Sequence, residues 1–349
     1  MIEVKHLYKR YGDHVAVSDL SFTIEKGVIY GFLGPNGAGK SSTMNIIAGC
    51  LGATEGDVLI DGHSIAEEPI DAKKHIGYLP EQPPLYADMT PLEYLQFVAS
   101  AKGLSREEQS EQINRVIDRT GIREMRNRLI CNLSKGYRQR VGIAQAILGS
   151  PEVIILDEPT VGLDPAQIIE IRDMIRELGR DHTIILSSHI LSEVQTICNS
   201  IMIISNGRMV ACDTPENLTR LFAGTTTLHL EVKGDEEKTN QVLKGIQLIE
   251  NQTVKPGSND TVLVEIKPVG NTDIREAVFT AFSKAELPLL EIQMEKASLE
   301  DIFLELTQGD MQMVPADKCS ANESNVVTKN RDKVVLGKGM DDDKEEEEI

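Results

Sequence analysis

The sequence predicts an α/β fold: a parallel-sheet core with antiparallel β and helical additions, then a second, smaller α/β domain. Three observations carry that expectation. Short apolar runs at Val28–Leu33, Val153–Leu156, Thr183–Ser187 and Ile201–Ile204 alternate with helical stretches, as parallel strands covered on both faces do. The first of these runs feeds directly into a glycine-rich segment that opens a helix over about 40–50. Residues 226–307 then follow a strand–helix–strand–strand–helix–strand order, that of a small ferredoxin-like sheet.

Taken along the chain, Ile2–Leu7 and Leu20–Ile24 read as strands, with the turn dipeptide Gly12-Asp13 between them. Another strand, Asp57–Ile60, stops at Asp61-Gly62. From about 88 to 150 the texture is helical, and Thr90-Pro91-Leu92-Glu93 is a capping box with proline at the first helical position. Ser105-Arg106-Glu107-Glu108 is a second one. A closing helix begins at Thr214-Pro215, which places a first domain at 1–222. The second domain, 226–307, is expected as strand 227–233, helix 236–244, strands 246–252 and 261–267, helix 272–284, strand 288–294 and helix 298–306. Beyond it, residues 308–349 lose periodicity and end in an acidic run at 341–348, so this tail is expected to be disordered.

Composition narrows the possible functions. The chain has 349 residues, 40% of them hydrophobic, enough for a sizeable core. A net charge of −19, no tryptophan and 4% aromatic residues argue against a nucleic-acid partner, which needs a basic face and stacking platforms. Five cysteines (Cys50, Cys131, Cys198, Cys212, Cys319) are odd in number and widely spaced, which fits a reducing compartment and gives no sign of a disulfide framework or a zinc site. The N-terminus lacks a signal-peptide pattern, and no apolar run approaches the ~18 residues of a membrane span, so a soluble protein is expected.

Residues 34–42 read Gly34-Pro35-Asn36-Gly37-Ala38-Gly39-Lys40-Ser41-Ser42. Gly34 and Gly39 let the backbone turn where a Cβ would clash, so that successive N–H groups point at an anion. Lys40 brings a positive charge to β- and γ-phosphates, and Ser41 offers a hydroxyl to Mg²⁺. The helix that follows adds its positive end to the same cradle. Downstream, the apolar run Val153–Leu156 ends in Asp157-Glu158. Asp157 is placed to meet Mg²⁺, and Glu158, one residue on, to take a proton from an attacking water.

Leu133-Ser134-Lys135-Gly136-Tyr137-Arg138-Gln139-Arg140 stands ahead of a helix with apolar residues at Val141, Ala144, Ile147 and Leu148. By itself Ser134 reads as an N-cap and Gly136 as a turn residue. The segment resembles the LSGGQ-type motif of ATP-binding cassette (ABC) ATPases, whose other motifs stand in order over residues 1 to about 220. The resemblance implies a P-loop NTPase cassette, with a RecA-like parallel core plus antiparallel β and helical subdomains, that binds ATP and Mg²⁺. It also implies a head-to-tail dimer with two shared sites, in which Ser134 and the Gly136 N–H reach the γ-phosphate of ATP held by the other copy. Lys135 and Tyr137 depart from the family pattern, and the role of Lys135 is open.

Further roles follow from the same resemblance. Tyr11 matches the aromatic residue that stacks on adenine. The segment Ile76–Tyr86 resembles the Q-loop, whose Mg²⁺- and water-contacting position falls on Glu81 when counted back from Leu85-Tyr86, with its neighbour Gln82 the alternative. Asp164 matches the D-loop residue at the dimer seam, although Asp164-Pro165-Ala166-Gln167 is also a capping signature. His189, after the strand Thr183–Ser188, matches the switch histidine at the γ-phosphate. The expected protein is the ATPase subunit of an ABC transporter, peripheral on the cytoplasmic face of the membrane. It would be a homodimer, or a heterodimer with a paralogous ATPase, driving a separate permease. LSKGY-like motifs with an appended α/β domain lean towards export. Two alternatives stand beside it: a soluble ABC-type ATPase acting on nucleic acid or the ribosome, and a regulatory nucleotide-binding module without hydrolysis.

Overall fold

The computed structural model describes residues 1–222, 227–258, 260–270 and 272–295, and three sheets are formed among them. The chain opens with a long hairpin, β1 (Ile2–Tyr11) and β2 (His14–Ile24). Both strands run on to the Gly12-Asp13 turn, further than the apolar alternation predicted. On β1 the ladder continues through Lys9, Arg10 and Tyr11 to the Tyr11–His14 pair, while Ala16 and Val17 on β2 are buried. Cross-strand pairing carries the β1 side of this extension, and burial of Ala16 and Val17 adds to it on β2. Next come β3 (Ile29–Leu33) and α1 (Lys40–Ile47). β4 (Glu55–Ile60) pairs with β1 and turns back into β5 (His63–Ser64). The turn residues Asp61 and Gly62 have φ of 50° and 91°, the left-handed pair that an Asp-Gly hairpin turn requires.

A short α2 (Pro69–Lys74) leads into β6 (Ile76–Leu79). The helical stretch holds α3 (Pro91–Ala101) and α4 (Arg106–Arg119), which begin at the two expected capping boxes. The Thr90 and Ser105 hydroxyls accept the Glu93 and Glu108 amides, and both carboxylates accept the caps' own N–H groups. Capping of this kind contributes about 1 kcal/mol per helix and fixes its starting residue. The chain continues through α5 (Lys135–Ile147), β7 (Val153–Leu156), α6 (Pro165–Leu178), β8 (Thr183–Ser188) and α7 (Leu191–Ile197). It then forms β9 (Ser200–Ser205), β10 (Arg208–Asp213) and α8 (Pro215–Phe222).

The central sheet has the order β10-β9-β3-β8-β7-β6, parallel throughout except for β10 on β9. Its strands alternate between two cores. Ile29, Leu33, Ile154, Leu156, Ile184 and Leu186 face a core shared with α3, α4, α5, α6 and α7. Tyr30, Phe32, Val153, Ile155 and Ile185 face a core shared with α1 and the β1–β2–β4 sheet. Burial on both faces is why these strands read as unbroken apolar runs rather than as alternating ones. Because the strands are parallel, β3, β6, β7 and β8 deliver their C-terminal ends to one rim of the sheet.

The second unit comprises β11 (Thr227–Lys233), α9 (Glu236–Lys244), β12 (Ile249–Pro256), β13 (Thr261–Pro268), α10 (Arg275–Lys284) and β14 (Leu289–Glu295). Its antiparallel sheet has the order β12-β13-β11-β14, the ferredoxin-like arrangement that the element order predicts. One face packs its apolar residues on Leu243, Val278 and Phe282, which are buried in α9 and α10. β12 starts at Ile249 rather than 246, because Ile246 is spent packing against this core as the chain leaves α9. The expected helix at 298–306 and the acidic tail lie outside the described residues.

Cys50, Cys131 and Cys198 carry free thiols, whereas Cys212 is disulfide-bonded, contrary to the reading of the cysteine spacing. Pairing depends on which Cβ atoms the fold brings within ~4 Å, and linear spacing does not encode that. Among the described residues, no helix is long and apolar enough to cross a membrane.

Candidate active site

The rim where β3, β6, β7 and β8 end opens into a cavity of about 380 Å³, within the range of small-molecule sites. The whole segment Pro35–Ser42 lines it, together with Tyr11, Glu81, Glu158 and His189. The glycine segment is tightly seated. A Cβ on Gly34 would lie 2.5 Å from the Ile204 carbonyl oxygen. Gly39 has φ of 101°, and a Cβ there would run into the Ala16 carbonyl. No side chain caps α1, so its first-turn amides stay directed at the cavity's edge.

Lys40 is buried, and its ammonium donates to the carbonyl oxygens of Gly34 (2.6 Å) and Pro35 (3.3 Å). It also stands 3.9 Å from Glu158 Oε1. Burial holds its pKa below the ordinary lysine value, and the charges of Glu158, Asp157 and Glu81 offset part of that effect. A polyanion entering the cavity would offset this penalty.

Behind the cavity, Asp157 and Glu158 follow β7 and are held by a residue that sequence reasoning missed. Ser187, fully buried at the end of β8, donates to Asp157 Oδ1 (2.6 Å) and accepts from the Glu158 amide (2.9 Å). The available signal was a polar Ser187-Ser188 pair ending the apolar run Ile184–Leu186. Glu158 sits at φ 49°, a left-handed conformation that costs a non-glycine residue roughly 1–2 kcal/mol. Its Oε2 is 2.9 Å from His189 Nδ1. The Ser41 hydroxyl stands 3.4 Å from Asp157 Oδ1, so a hydroxyl and a carboxylate, both hard oxygen donors, face each other beside the loop. That donor set suits Mg²⁺, which takes few protein ligands and keeps water on the rest of its shell.

Tyr11 lies at the cavity's outer edge, 48% exposed, with its hydroxyl 3.4 Å from Ser42 Oγ. Of the two neighbours after β6, Glu81 lines the cavity and Gln82 does not. His14 and Val161 also line it, and nothing in the sequence pattern had marked them. Ser134, Gly136 and Asp164 are not part of this lining. Ser134 caps α5 by accepting the Tyr137 amide, and Asp164 caps α6 by accepting the Gln167 amide at 2.9 Å. The α5 and α6 starts are packed together, since a Cβ on Gly136 would lie 2.6 Å from Gln167 Oε1.

A parallel sheet whose strand ends bring a glycine-rich loop, two carboxylates and a histidine to one cavity defines a P-loop nucleotide-hydrolysing protein. Comparison with known proteins is more specific. Residues 17–161 match the ABC transporter family model. The uncharacterized ABC transporter ATP-binding protein YhcH of Bacillus subtilis is 36% identical over 312 residues, covering 88% of this chain and 96% of that protein. The bacitracin transport ATP-binding protein BcrA of Bacillus licheniformis is 31% identical over 312 residues, with 88% and 98% covered. Among solved structures, the dimeric MJ0796 cassette of a bacterial ABC transporter superposes with a TM-score of 0.57 at 26% identity, over 61% of this chain and 98% of that one. The chain therefore belongs to the ATP-binding proteins of ABC transporters: it is an ATP-binding, ATP-hydrolysing transporter subunit.

Proposed function

We propose that two copies, or one copy and a paralogous ATPase, close head to tail around two MgATP and drive a separate permease. One observation carries this reading. The Lys40–Glu158–His189 cluster lines the nucleotide cavity, while Ser134 and Gly136, at the start of α5, do not. A γ-phosphate in the cavity would thus meet the α5 N-terminus of a second copy. The dimeric MJ0796 cassette supports the same arrangement.

In this reading Lys40 and the amides of Gly37, Ala38 and Gly39 bind phosphate oxygens, with Pro35 and Asn36 shaping the loop and Ser42 closing its end. Ser41 and Asp157 hold Mg²⁺, with Glu81 at its edge, and the ion supplies charge neutralisation across the phosphates. Glu158 takes the proton of the attacking water, His189 orients Glu158 and reaches the γ-phosphate, and Tyr11 stacks on adenine. Asp164 lies at the seam between the copies. The protein works on the cytoplasmic face of the membrane. Tyr86 and Phe97, both half-exposed and in edge-to-face contact at 5.3 Å, offer an aromatic ledge to a permease helix. The bacitracin transport function in BcrA's name supports an export-type permease. The cassette is assigned to 1–222 and the second unit to 226–307.

Glu158→Gln tests the reading. The variant should bind MgATP, lose turnover and elute as an ATP-bound dimer in size-exclusion chromatography. Hydrolysis at the wild-type rate would remove Glu158 from its role, and a monomer saturated with MgATP would remove the dimer.

A further inference from the structure

Besides Asp157 and Glu158, a third carboxylate is buried, and it does not line the cavity. Glu193, in the first turn of α7, is 3% exposed. Its Oε2 accepts two hydroxyls, from Thr160 at 2.6 Å and from Ser188 at 3.0 Å. Ser188 Oγ in turn accepts the Ile190 amide at 3.0 Å. Glu193 Oε1 has no hydrogen bond and faces an Arg172 guanidinium nitrogen at 3.7 Å, and Arg172 Nε is also without an acceptor.

This one carboxylate therefore touches three segments. Thr160 lies two residues after Glu158, Ser188 immediately precedes His189, and Arg172 is carried by α6, which starts at Asp164. A buried carboxylate facing a partly buried guanidinium, with an orphan polar atom on each, is a poor device for stability, since packed apolar side chains do as well or better in such places. It is a good device for fixing relative position, because hydroxyl-to-carboxylate bonds are short and directional. The pair it would fix is Glu158 Oε2 and His189 Nδ1, which stand 2.9 Å apart.

We propose that Glu193, through Thr160 and Ser188 and backed by Arg172, is a positioning residue for ATP hydrolysis. It ties the loop carrying Glu158 and the turn carrying His189 to a single buried carboxylate. The proposal rests on the roles of Glu158 and His189 given above.

Glu193→Ala would leave Arg172, a partly buried cation, without its partner and endanger folding, so the test is made at Thr160 in the full chain. Thr160→Val keeps shape and removes the hydroxyl, and Thr160→Ser keeps the hydroxyl. Steady-state ATPase assays should show Thr160→Val losing kcat about tenfold with the KM for MgATP changed by less than about twofold. Thr160→Ser should recover wild-type kcat to within about twofold with an unchanged melting temperature, while Thr160→Val should melt about 3–12 °C lower and still fold cooperatively at the assay temperature. Wild-type turnover by Thr160→Val, a matching rise in KM, or a Thr160→Ser variant no better than Thr160→Val would each overturn the proposal. Glu158→Gln measured alongside separates the two levels. If it is inactive while Thr160→Val is unaffected, the positioning role alone fails. If it is active, the reading of Glu158 fails first.

Discussion

Ser187→Ala removes one hydroxyl that serves both carboxylate residues following β7 at once. In the wild type Ser187 Oγ is fully buried, 2.6 Å from Asp157 Oδ1 and 2.9 Å from the Glu158 amide nitrogen. Alanine leaves the Glu158 N–H, itself in a left-handed turn, without an acceptor in a buried place, which costs about 1–3 kcal/mol. Asp157 also loses a donor to a charged oxygen, a bond of about 1.5–3 kcal/mol. The Ser41 hydroxyl, at 3.4 Å, replaces little of it. Allowing for relaxation, the cassette should lose about 3 kcal/mol, and for a unit of this size each kcal/mol lowers the melting temperature by roughly 2–4 °C. Scanning calorimetry of the full chain should thus show the cassette transition about 6–12 °C lower. Binding of MgATP should also require more Mg²⁺, because Asp157 is no longer oriented towards Ser41. A transition lowered by less than about 2 °C would refute the bridging role of this hydroxyl.

Three further predictions test other parts of the structure. Burial lowers the Lys40 pKa and bound phosphate should raise it again, so nucleotide binding should take up protons above that lowered value. Affinity should therefore fall with rising pH before the ordinary lysine midpoint of about 10.4, and isothermal titration in buffers of different ionisation enthalpy measures the uptake. Gly39→Ala combines a φ of 101° with a Cβ driven into the Ala16 carbonyl. It should abolish saturable MgATP binding in a fluorescence titration while the second unit still melts normally. Phe282→Ala empties the centre of the second unit's core, where the ring is fully buried, at about 3–5 kcal/mol. It should create a separate low-temperature transition, with MgATP affinity changed by less than about twofold.

How much could be read from the sequence depended on how local the determinant was. The Gly34–Ser42 loop, the Asp157-Glu158 pair and the two capping boxes depend on short spacings, and each sits where the pattern placed it. The buried runs of β3, β7, β8 and β9 were legible because burial on both faces leaves little room for polar residues. The extension of β1 and β2 to Gly12-Asp13 was not, since Lys9-Arg10 on one strand and Ser18-Asp19 on the other interrupt the apolar alternation and the ladder runs past them. Ser187, Thr160 and Glu193 escaped notice for a related reason. Each is an ordinary polar residue in sequence, and its task appears only when β7, β8 and α7 are brought within hydrogen-bonding distance. The choice between Glu81 and Gln82 also depended on which way the chain turns after β6.

The parallel strands also have an opposite rim, which carries none of the residues that line the cavity beside Lys40. There the exposed Gly149-Ser150 turn precedes β7, and Arg180-Asp181 precedes β8. A peptide tag or fluorescent reporter grafted between Gly149 and Ser150 would be separated from Asp157 by at least the length of β7, about 13 Å. A reporter placed there would therefore stand a full strand length away from the residues that line the Lys40 cavity.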